Sequence, residues 1–417
     1  MTTQEKVLDI CKRAKEASRS FAAQNTKKKN EILIKISNSL MERRDEIVAA
    51  NKLDLDSAEA NGVPKPMLDR LMLNERRIHD IADSLLFLTG LKDPVGSGEV
   101  FTTPNGLEIA CQRVPLGVVA IIYEARPNVT VDAAALCLKT GNAVVLRGGR
   151  EAVNTNLCLI DIMKDAIKSC RIDPDILGFV EPGEGHESAN VLMGARGLVD
   201  VLIPRGGKRL IQAVVTNAKV PVIETGAGNC HLYVDESADL AMAINVAINA
   251  KCSRPAVCNA IETMLVHRSV ANEFLPKFVD EVGKKYALEI RGCAETQKIV
   301  SCKAATDEDF DTEYDDFILA VKIVGSTEEA VEHINKYNTG HSEAIITNDE
   351  KNAEYFRKYV DAAAVYVNAS TRFTDGGEFG FGAEIGISTQ KLHARGPMGL
   401  AALTTQKYLI RGEGQIR

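Results

Sequence analysis

The sequence predicts an α/β protein made of two doubly wound domains and a small additional β element. Short, continuous apolar runs alternate with helical stretches from residue 114 onward, and strands with two dry faces are typical of parallel sheets covered by helices. The chain has 417 residues, of which 45% are apolar, and a chain of this length usually divides into more than one domain. The stretch TGAGN at residues 225–229 interrupts the alternation and indicates the domain boundary.

The first 92 residues carry helical periodicity almost without interruption. Apolar residues recur at helical spacing in EILIKISNSLMERRDEIVAAN and in PKPMLDRLMLNERRIHDIADSLLFLTG, with turn signals at Asn61 and Gly62. Residues 95–114 change to two alternating runs on either side of a turn at residues 104–106. This change predicts a β-hairpin.

The remaining elements follow the α/β alternation. In the first part we expect the order LGVVAIIYE, a helix at 131–139, NAVVLRG, a helix at 154–169, ILGFV, a helix at 186–193, LVDVLIP, a helix at 208–218, and VPVIE. In the second part we expect HLYVD, a helix through Ala250, ETMLVH, a helix at 270–288, FILAVKIV, a helix at 328–337, SEAIIT, a helix at 351–359, and AAAVYVN. A late strand, TTQKYLIRG at 404–412, has no obvious partner nearby in the sequence.

Charge and cysteine content narrow the class of protein. The net charge is −7 and the isoelectric point is about 5.7, so the long-range field would repel nucleic acid and anionic membranes. No stretch reaches the roughly 18 apolar residues of a membrane span. The charge therefore predicts small molecules as binding partners. Ten unevenly spaced cysteines, in a sequence without a signal peptide, predict reduced thiols and a cytoplasmic protein.

Ligands of open parallel sheets bind beyond the carboxyl ends of the strands, so residues just past strand ends are the first candidates. Arg147 and Arg150 follow the strand NAVVL and surround two glycines. Two guanidinium groups there suit an anion such as the 2′-phosphate of NADP. A solvated loop before a helix is an equally good interpretation.

Two further candidates follow the next predicted strands. In LIPRGGKRLI, the residues Gly206, Gly207 and Lys208 lead into a helix, where backbone N–H groups can bind a pyrophosphate. The spacing is not GxGxxG, so a plain strand-to-helix turn is the alternative. Glu224 ends VPVIE and can act as a base or proton relay if it is buried, although loop glutamates are usually solvated.

Cys258, in the stretch RPAVCNA at residues 254–260, differs from the other cysteines. It lies between a cationic segment containing Lys251 and Arg254 and the predicted strand ETMLVH. Positive charge nearby favours the reactive thiolate, but a buried core cysteine is the alternative. Zinc is a poor interpretation because Cys252 and Cys258 do not form a CxxC pair, and the histidines show no ligand pattern. We therefore expect no metal site.

Four segments together resemble the aldehyde dehydrogenase superfamily and, within it, the gamma-glutamyl phosphate reductase family. They are PLGVVAIIYEARPNVTVDAAALCLKTGNAVVLRGG, LIPRGGK, VIETGAGNCHLYVD and RPAVCNAIETMLVH. EARPNVT and RPAVCNA are the specific segments, and the glycine loops are shared more widely. The resemblance extends from the first helices to the last strand.

The resemblance implies roles for individual residues. Cys258 takes the position of the superfamily's nucleophile, Glu224 that of its glutamate, and Asn128 that of its oxyanion-binding asparagine. Arg147 takes the position of the lysine that meets the adenosine ribose, and Arg150 replaces an acidic residue that excludes a 2′-phosphate, which favours NADP. Glu313 resembles the carboxylate that binds the nicotinamide ribose.

The implied activity is NADPH-dependent reduction of L-glutamyl 5-phosphate to L-glutamate 5-semialdehyde through a cysteine thioester, with release of phosphate. Arg126 and Arg254 are the expected substrate-binding cations, while a structural role is the alternative for Arg372 and Arg395. One rival is an aldehyde dehydrogenase that uses coenzyme A, against which EARPNVT weighs. The other is a catalytically silent relative, which would lack Cys258 or Glu224.

The resemblance also implies a domain plan and partners. Residues 1–92 and 114–227 would bind NADP, residues 228–400 would form the catalytic domain, and residues 93–113 and 401–417 would form an oligomerisation element. A homodimer or homotetramer is expected, with local packing on the same chain as the alternative. Transient contact with glutamate 5-kinase would deliver the labile substrate.

Overall fold

The computed structural model describes residues 1–183 and 185–417. The chain forms two compact units. The first comprises Met1–Glu224, Gly380–Gly386 and Met398–Arg417, and the second comprises Thr225–Phe379 and Ile387–Pro397. The NADP-binding, catalytic and oligomerisation roles expected for parts of the chain stay predictions.

The first unit begins with helices, as the periodicity predicts. They are α1 (Thr3–Phe21), α2 (Thr26–Glu42), α3 (Arg44–Ala60), α4 (Lys65–Leu71) and α5 (Glu75–Gly90). A capping box starts α1: the Thr2 hydroxyl accepts the Glu5 N–H, and the Glu5 carboxylate accepts the Thr2 N–H. The predicted hairpin follows as β1 (Gly98–Thr102) and β2 (Glu108–Pro115), which pair antiparallel.

A parallel sheet with the strand order β5-β4-β3-β6 forms the centre of the described part of the first unit. Its strands are β3 (Val118–Tyr123), β4 (Ala143–Arg147), β5 (Leu177–Phe179) and β6 (Val201–Arg205). The helices between and after them are α6 (Pro127–Lys139), α7 (Val153–Ser169), α8 (Glu187–Met193) and α9 (Lys208–Asn217). Every residue of β3 is buried, as expected for a strand with two dry faces.

The predicted strand VPVIE is wrong as a regular strand. Only an isolated bridge joins Val222 to Leu202 of β6, although Leu202 and Ile223 each donate one backbone hydrogen bond across the pair. Pro221 is the second residue of the segment and has no N–H, so it cannot donate to a ladder.

The second unit contains a larger parallel sheet with the strand order β10-β9-β11-β8-β7-β12-β13. Its strands are β7 (Cys230–Val234), β8 (Ile261–His267), β9 (Glu289–Gly292), β10 (Lys303–Ala304), β11 (Ile318–Val324), β12 (Ser342–Ile346) and β13 (Ala364–Val367). The helices are α10 (Leu240–Cys252), α11 (Arg268–Gly283), α12 (Ala294–Gln297), α13 (Asp307–Phe310), α14 (Thr327–Tyr337) and α15 (Glu350–Tyr359). The sequence did not reveal β9 and β10 because they are short: β10 is an edge strand of two exposed residues, and Ile290 is the one large apolar residue of β9.

The late strand finds its partner far away in the sequence. After the short pair β14 (Ile387–Ser388) and β15 (Gly396–Pro397), β16 (Thr404–Arg411) pairs antiparallel with β2 from Thr404–Pro115 to Arg411–Glu108. This gives the sheet order β1-β2-β16 in the first unit. β16 therefore pairs with a strand of its own chain, as the alternative to oligomerisation proposed. Oligomerisation through this sheet stays a prediction.

A buried carboxylate links two helices of the first unit. Asp54 of α3 accepts hydrogen bonds from the backbone N–H groups of Asn154 and Thr155 at 3.1 and 2.8 Å, and from both of their side chains at 2.8 and 2.5 Å. Ala152 precedes α7 and supplies no side-chain cap. Asp54 therefore replaces the missing cap and brings a negative charge to the positive end of α7.

We predict that Asp54→Ala lowers the free energy of unfolding by about 3 kcal/mol, because buried donors at the start of α7 lose a charged acceptor. Urea unfolding followed by circular dichroism measures the change. Asp56→Ala is the control, since Asp56 is exposed on the same helix. Equal stability of the two variants would contradict the capping role.

Candidate active site

Cys258 lies in a loop of the second unit, at residues 253–260, between α10 and β8. It is half-buried, while the next two residues, Asn259 and Ala260, are buried. The loop precedes β8, so it lies at the amino end of this parallel strand. The expectation that the candidate residues follow the carboxyl ends of strands is therefore wrong for Cys258, because a helix-to-strand connection returns to the opposite edge of the sheet.

A turn after β13 holds this loop. The buried Asn259 side chain donates from Nδ2 to the carbonyl oxygens of Thr374 and Arg372, at 3.0 and 3.3 Å. The Thr371 hydroxyl donates to the Asn259 carbonyl oxygen at 2.7 Å. The Arg372 guanidinium donates to Ser253 Oγ at 3.2 Å and to Asn259 Oδ1. Side chains on both sides of Cys258 are thereby fixed.

The backbone of Gly228 passes directly over Cys258. A Cβ atom at position 228 would lie 1.5 Å from the Cys258 carbonyl oxygen, so only glycine fits there. The Gly228 N–H donates to Glu313 Oε1 at 2.7 Å. Glu313, expected as a cofactor contact, therefore binds the backbone segment at Gly228 that lies against Cys258.

A fully buried ion pair joins the elements on either side of the loop. Lys251 Nζ, near the end of α10, donates to Glu262 Oε2, in β8, at 2.5 Å. Burial raises the pKa of Glu262 to about 8, an effect that Lys251 opposes and the charge of Glu313 adds to. No local pattern indicates this pairing, since a lysine and a glutamate eleven residues apart are common on any surface.

Buried polar side chains lie beneath the loop. Cys230 Sγ donates to the Cys258 carbonyl oxygen at 3.2 Å, and burial raises the pKa of the Cys230 thiol well above its usual value, so Cys230 stays protonated. His231 is fully buried, with Nδ1 at 3.0 Å from Glu343 Oε2. Burial lowers the pKa of His341, next to Cys230, to about 4.

Arg147 and Arg150 lie together at the end of β4 in the first unit. Their Nη2 atoms donate to the carbonyl oxygens of Pro182 and Gly185, at 3.5 and 3.1 Å. Burial and the neighbouring Arg150 charge lower the pKa of Arg147. Within the described residues, the buried Nε of Arg147 has no hydrogen-bond partner. This donor and the pair of like charges, which Glu151 offsets only in part, fit an anionic group of a cofactor.

Gly206, Gly207 and Lys208 lie at the start of α9, as expected. The Gly207 N–H donates to Glu124 Oε2 at 2.9 Å, and a Cβ at position 206 would lie 2.6 Å from the Glu124 carboxyl carbon. The helix start therefore already accepts an anion from the same chain. Sequence reasoning missed Glu124, although it directly follows β3 at a strand end.

The remaining predicted site residues are Asn128, Arg126 and Glu224 in the first unit and Arg254 in the second. Asn128, in the first turn of α6, donates from Nδ2 to Asp132 Oδ2 at 3.1 Å, and burial raises the pKa of Asp132 to about 6. Arg126 is exposed at the N-cap of α6. Glu224 is half-buried after the bridge at Val222. Arg254, in the second unit, is exposed in the Cys258 loop.

The structure also bears on metals, disulfides and membranes. All ten cysteines lie in the described part of the chain and are free thiols. Among residues 1–183 and 185–417, no group of three or more His, Cys, Asp or Glu side chains is arranged to hold a metal ion. No helix in these same ranges has the length and apolar character to cross a membrane.

Comparisons with known proteins agree with this geometry. The aldehyde dehydrogenase family model matches residues 1–290 and 313–405. A gamma-glutamyl phosphate reductase of Clostridium acetobutylicum is 55% identical over 100% of both chains, and one of Clostridium botulinum is 58% identical over 97% of this chain and 98% of its own. The crystal structure of the Thermotoga maritima gamma-glutamyl phosphate reductase is 48% identical, covers 99% of each chain and superposes with a TM-score of 0.96. The chain therefore belongs to the gamma-glutamyl phosphate reductases, within the aldehyde dehydrogenase family.

Proposed function

We propose that this protein reduces L-glutamyl 5-phosphate to L-glutamate 5-semialdehyde with NADPH, through a thioester on Cys258. Membership of the family supports a reductase of proline biosynthesis. The observation that carries the chemical part of the proposal is the setting of Cys258: a half-buried thiol on a loop fixed from both sides, near the charges of Arg254 and Arg372.

The chemistry follows from this thiol. The Cys258 thiolate attacks the acyl carbon of the substrate, and phosphate leaves with the electron pair of the broken C–O bond. Because the loop conformation is fixed by Asn259 and Gly228, the sulfur does not have to be ordered when substrate binds. Asn128 is proposed as an oxyanion donor because it takes the position of the family's oxyanion-binding asparagine. Glu224 is proposed as a catalytic residue because it takes the position of the family's glutamate.

We assign cofactor binding to Arg147, Arg150, the helix start at residues 206–208, and Glu313. Enzymes of this family use nicotinamide cofactors, and NADPH when bound supplies the hydride that reduces the thioester. Arg147 and Arg150 would bind the 2′-phosphate, since a buried guanidinium donor without a partner in the described residues gains a charged acceptor there. Glu313, whose Oε1 accepts the Gly228 N–H, would orient the nicotinamide ribose.

Substrate binding requires cations, because the substrate carries a phosphate and an α-carboxylate. Arg254 shares the Cys258 loop and interacts electrostatically with Arg372, so it is the proposed phosphate ligand. Arg126, exposed at the start of α6, is the proposed carboxylate ligand. We further propose a cytoplasmic homo-oligomer that associates through the β1-β2-β16 sheet and receives its substrate in transient contact with glutamate 5-kinase.

The nucleophile is tested in the reverse direction. We predict that the wild-type protein reduces NADP when given pyrroline-5-carboxylate and phosphate at alkaline pH, and that Cys258→Ala loses at least ~10⁴-fold of this rate, because the covalent route is removed. Absorbance of NADPH measures the rate. Cys252→Ala is the matched control, since Cys252 is 3% exposed.

Two results would contradict the proposal. A response to coenzyme A in place of phosphate would indicate an acylating aldehyde dehydrogenase. A Cys258→Ala protein with the wild-type rate would exclude the thioester.

A second prediction from the proposed function concerns the loop backbone. Gly228→Ala should lower kcat by about 100-fold, because the new Cβ would meet the Cys258 carbonyl oxygen and displace the nucleophile by about an ångström. Steady-state kinetics in the same assay measures it. Gly283→Ala is the control, since a Cβ at the end of α11 meets nothing within 4 Å. Unchanged kcat in Gly228→Ala would show that the loop position does not matter.

The third prediction concerns the cofactor. Arg150→Ala should reduce the preference for NADP over NAD, measured as the ratio of kcat/KM values, by about 10- to 100-fold, because a charge-assisted contact to the 2′-phosphate is lost. Activity with NAD should change little. Arg171→Ala, at an exposed position after α7, serves as the control for a general loss of positive charge. An equal loss with both cofactors would refute the assignment of Arg150.

A further inference from the structure

Arg372 contacts both sides of the loop that carries Cys258. Its Nε donates to Ser253 Oγ at 3.2 Å, and its Nη1 donates to Asn259 Oδ1. Ser253 lies five residues before Cys258 in the sequence, and Asn259 lies directly after it. A single half-buried guanidinium thus bridges the two ends of the loop. Because the guanidinium is planar, its two hydrogen bonds, to Ser253 and to Asn259, are held in fixed relative directions.

The backbone around Arg372 adds to this hold. The turn at Thr371–Phe373 accepts the Asn259 amide through the Arg372 carbonyl oxygen, and the Thr374 carbonyl oxygen accepts the same amide. Asn259 is 5% exposed, so these bonds lie away from water, where breaking them is costly. Arg372 therefore has a defined position relative to the loop.

The charge of Arg372 also reaches Cys258. Burial and the nearby Arg254 lower the pKa of Arg372, whereas the negative charges of an ionised Cys258 and, less strongly, of Asp375 act in the opposite direction. Electrostatic coupling between two groups is reciprocal. The guanidinium must therefore favour the thiolate of Cys258 by as much as the thiolate favours the guanidinium.

We propose that Arg372 is a positioning residue for Cys258, which holds the nucleophile's loop in place through Ser253 and Asn259 and favours the thiolate by its charge. The proposal rests on the function proposed above, in which Cys258 is the nucleophile. Arg372 itself need not touch the substrate. This role differs from the two roles considered from the sequence, which were substrate binding and an ordinary structural ion pair.

The test separates the charge of Arg372 from its geometry. The full-length variants are Arg372→Met, which loses both, and Arg372→Lys, which keeps the charge and loses the planar fork. Arg268→Met is the matched control: its side chain is 61% exposed, pairs with Glu295, and follows the carboxyl end of β8, the end opposite to Cys258. Alkylation of Cys258 by iodoacetamide is followed against pH by mass spectrometry. Cys252, on the same tryptic peptide, is an internal reference because burial raises its pKa to about 11.

We expect the alkylation midpoint of Cys258 to rise by about one pH unit in Arg372→Met and to stay near the wild-type value in Arg372→Lys and Arg268→Met. In the phosphate-dependent assay, kcat should fall by about 100-fold in Arg372→Met, recover only partly in Arg372→Lys, and stay unchanged in Arg268→Met. KM for phosphate should change less than kcat, since Arg254 is the proposed phosphate ligand.

A wild-type alkylation profile in Arg372→Met would overturn the proposal even if kcat fell. A residue with only a structural role could lower kcat, but its loss of charge would not raise the alkylation midpoint of Cys258. If Arg372→Met does not fold, Ser253→Ala removes one contact and leaves the charge. Ser253→Ala should lower kcat several-fold and leave the alkylation profile unchanged. A wild-type kcat in this variant would overturn the proposal that Arg372 positions the loop through Ser253. Failure of the proposed function is recognised separately, by a Cys258→Ala protein that stays active while the alkylation profiles still report on Arg372.

Discussion

The hydrogen bonds of the Asn259 side chain are the interaction on which the candidate catalytic segment depends. The loop at residues 253–260 has no regular secondary structure, so no helix or strand ladder satisfies its backbone. Asn259 replaces such a ladder by donating to two carbonyl oxygens of the segment after β13 and by accepting from that segment through its own carbonyl oxygen. A loop held in this way is irregular and rigid at once, which a positioned nucleophile requires.

The sequence predicted the regular part of this structure well, for a physical reason. The residues of β3 are buried on both faces, and such strands appear as continuous apolar runs that can be recognised without any knowledge of their neighbours. β9 and β10 were missed because they are too short to show a pattern: EIRG has the single large apolar residue Ile290, and the edge strand KA has two exposed residues. VPVIE has the apolar signal but contains Pro221, whose missing N–H prevents a ladder.

The candidate site likewise contains residues that the local sequence indicates and residues that it does not. Cys258 could be identified from its cationic neighbours and, more firmly, from the family resemblance. Its supports could not, because Arg372 lies 113 residues from Asn259 along the chain and nothing local marks the pairing. The same holds for Lys251 and Glu262, which have unremarkable local sequences and become a buried pair only through the packing of α10 against β8. For Glu124, the signal was available, since it follows β3 directly, but its partner Gly207 is 83 residues away.

The electrostatic balance around Cys258 favours a substrate that carries negative charge. The nearby carboxylates also bind other groups: Glu262 accepts from Lys251, and Glu313 accepts the Gly228 N–H. Asp375, whose charge acts favourably on Arg372, accepts the Gly377 N–H. Arg254 and Arg372 repel each other, and burial adds to this unfavourable energy. An anion between or beside them relieves the repulsion, and a thiolate supplies one charge only. An acyl phosphate brings further charge to the place where it is needed, whereas a neutral acyl group brings none. In the proposed reaction, the positive charge that favours the thiolate before the attack would also favour the departing phosphate during it.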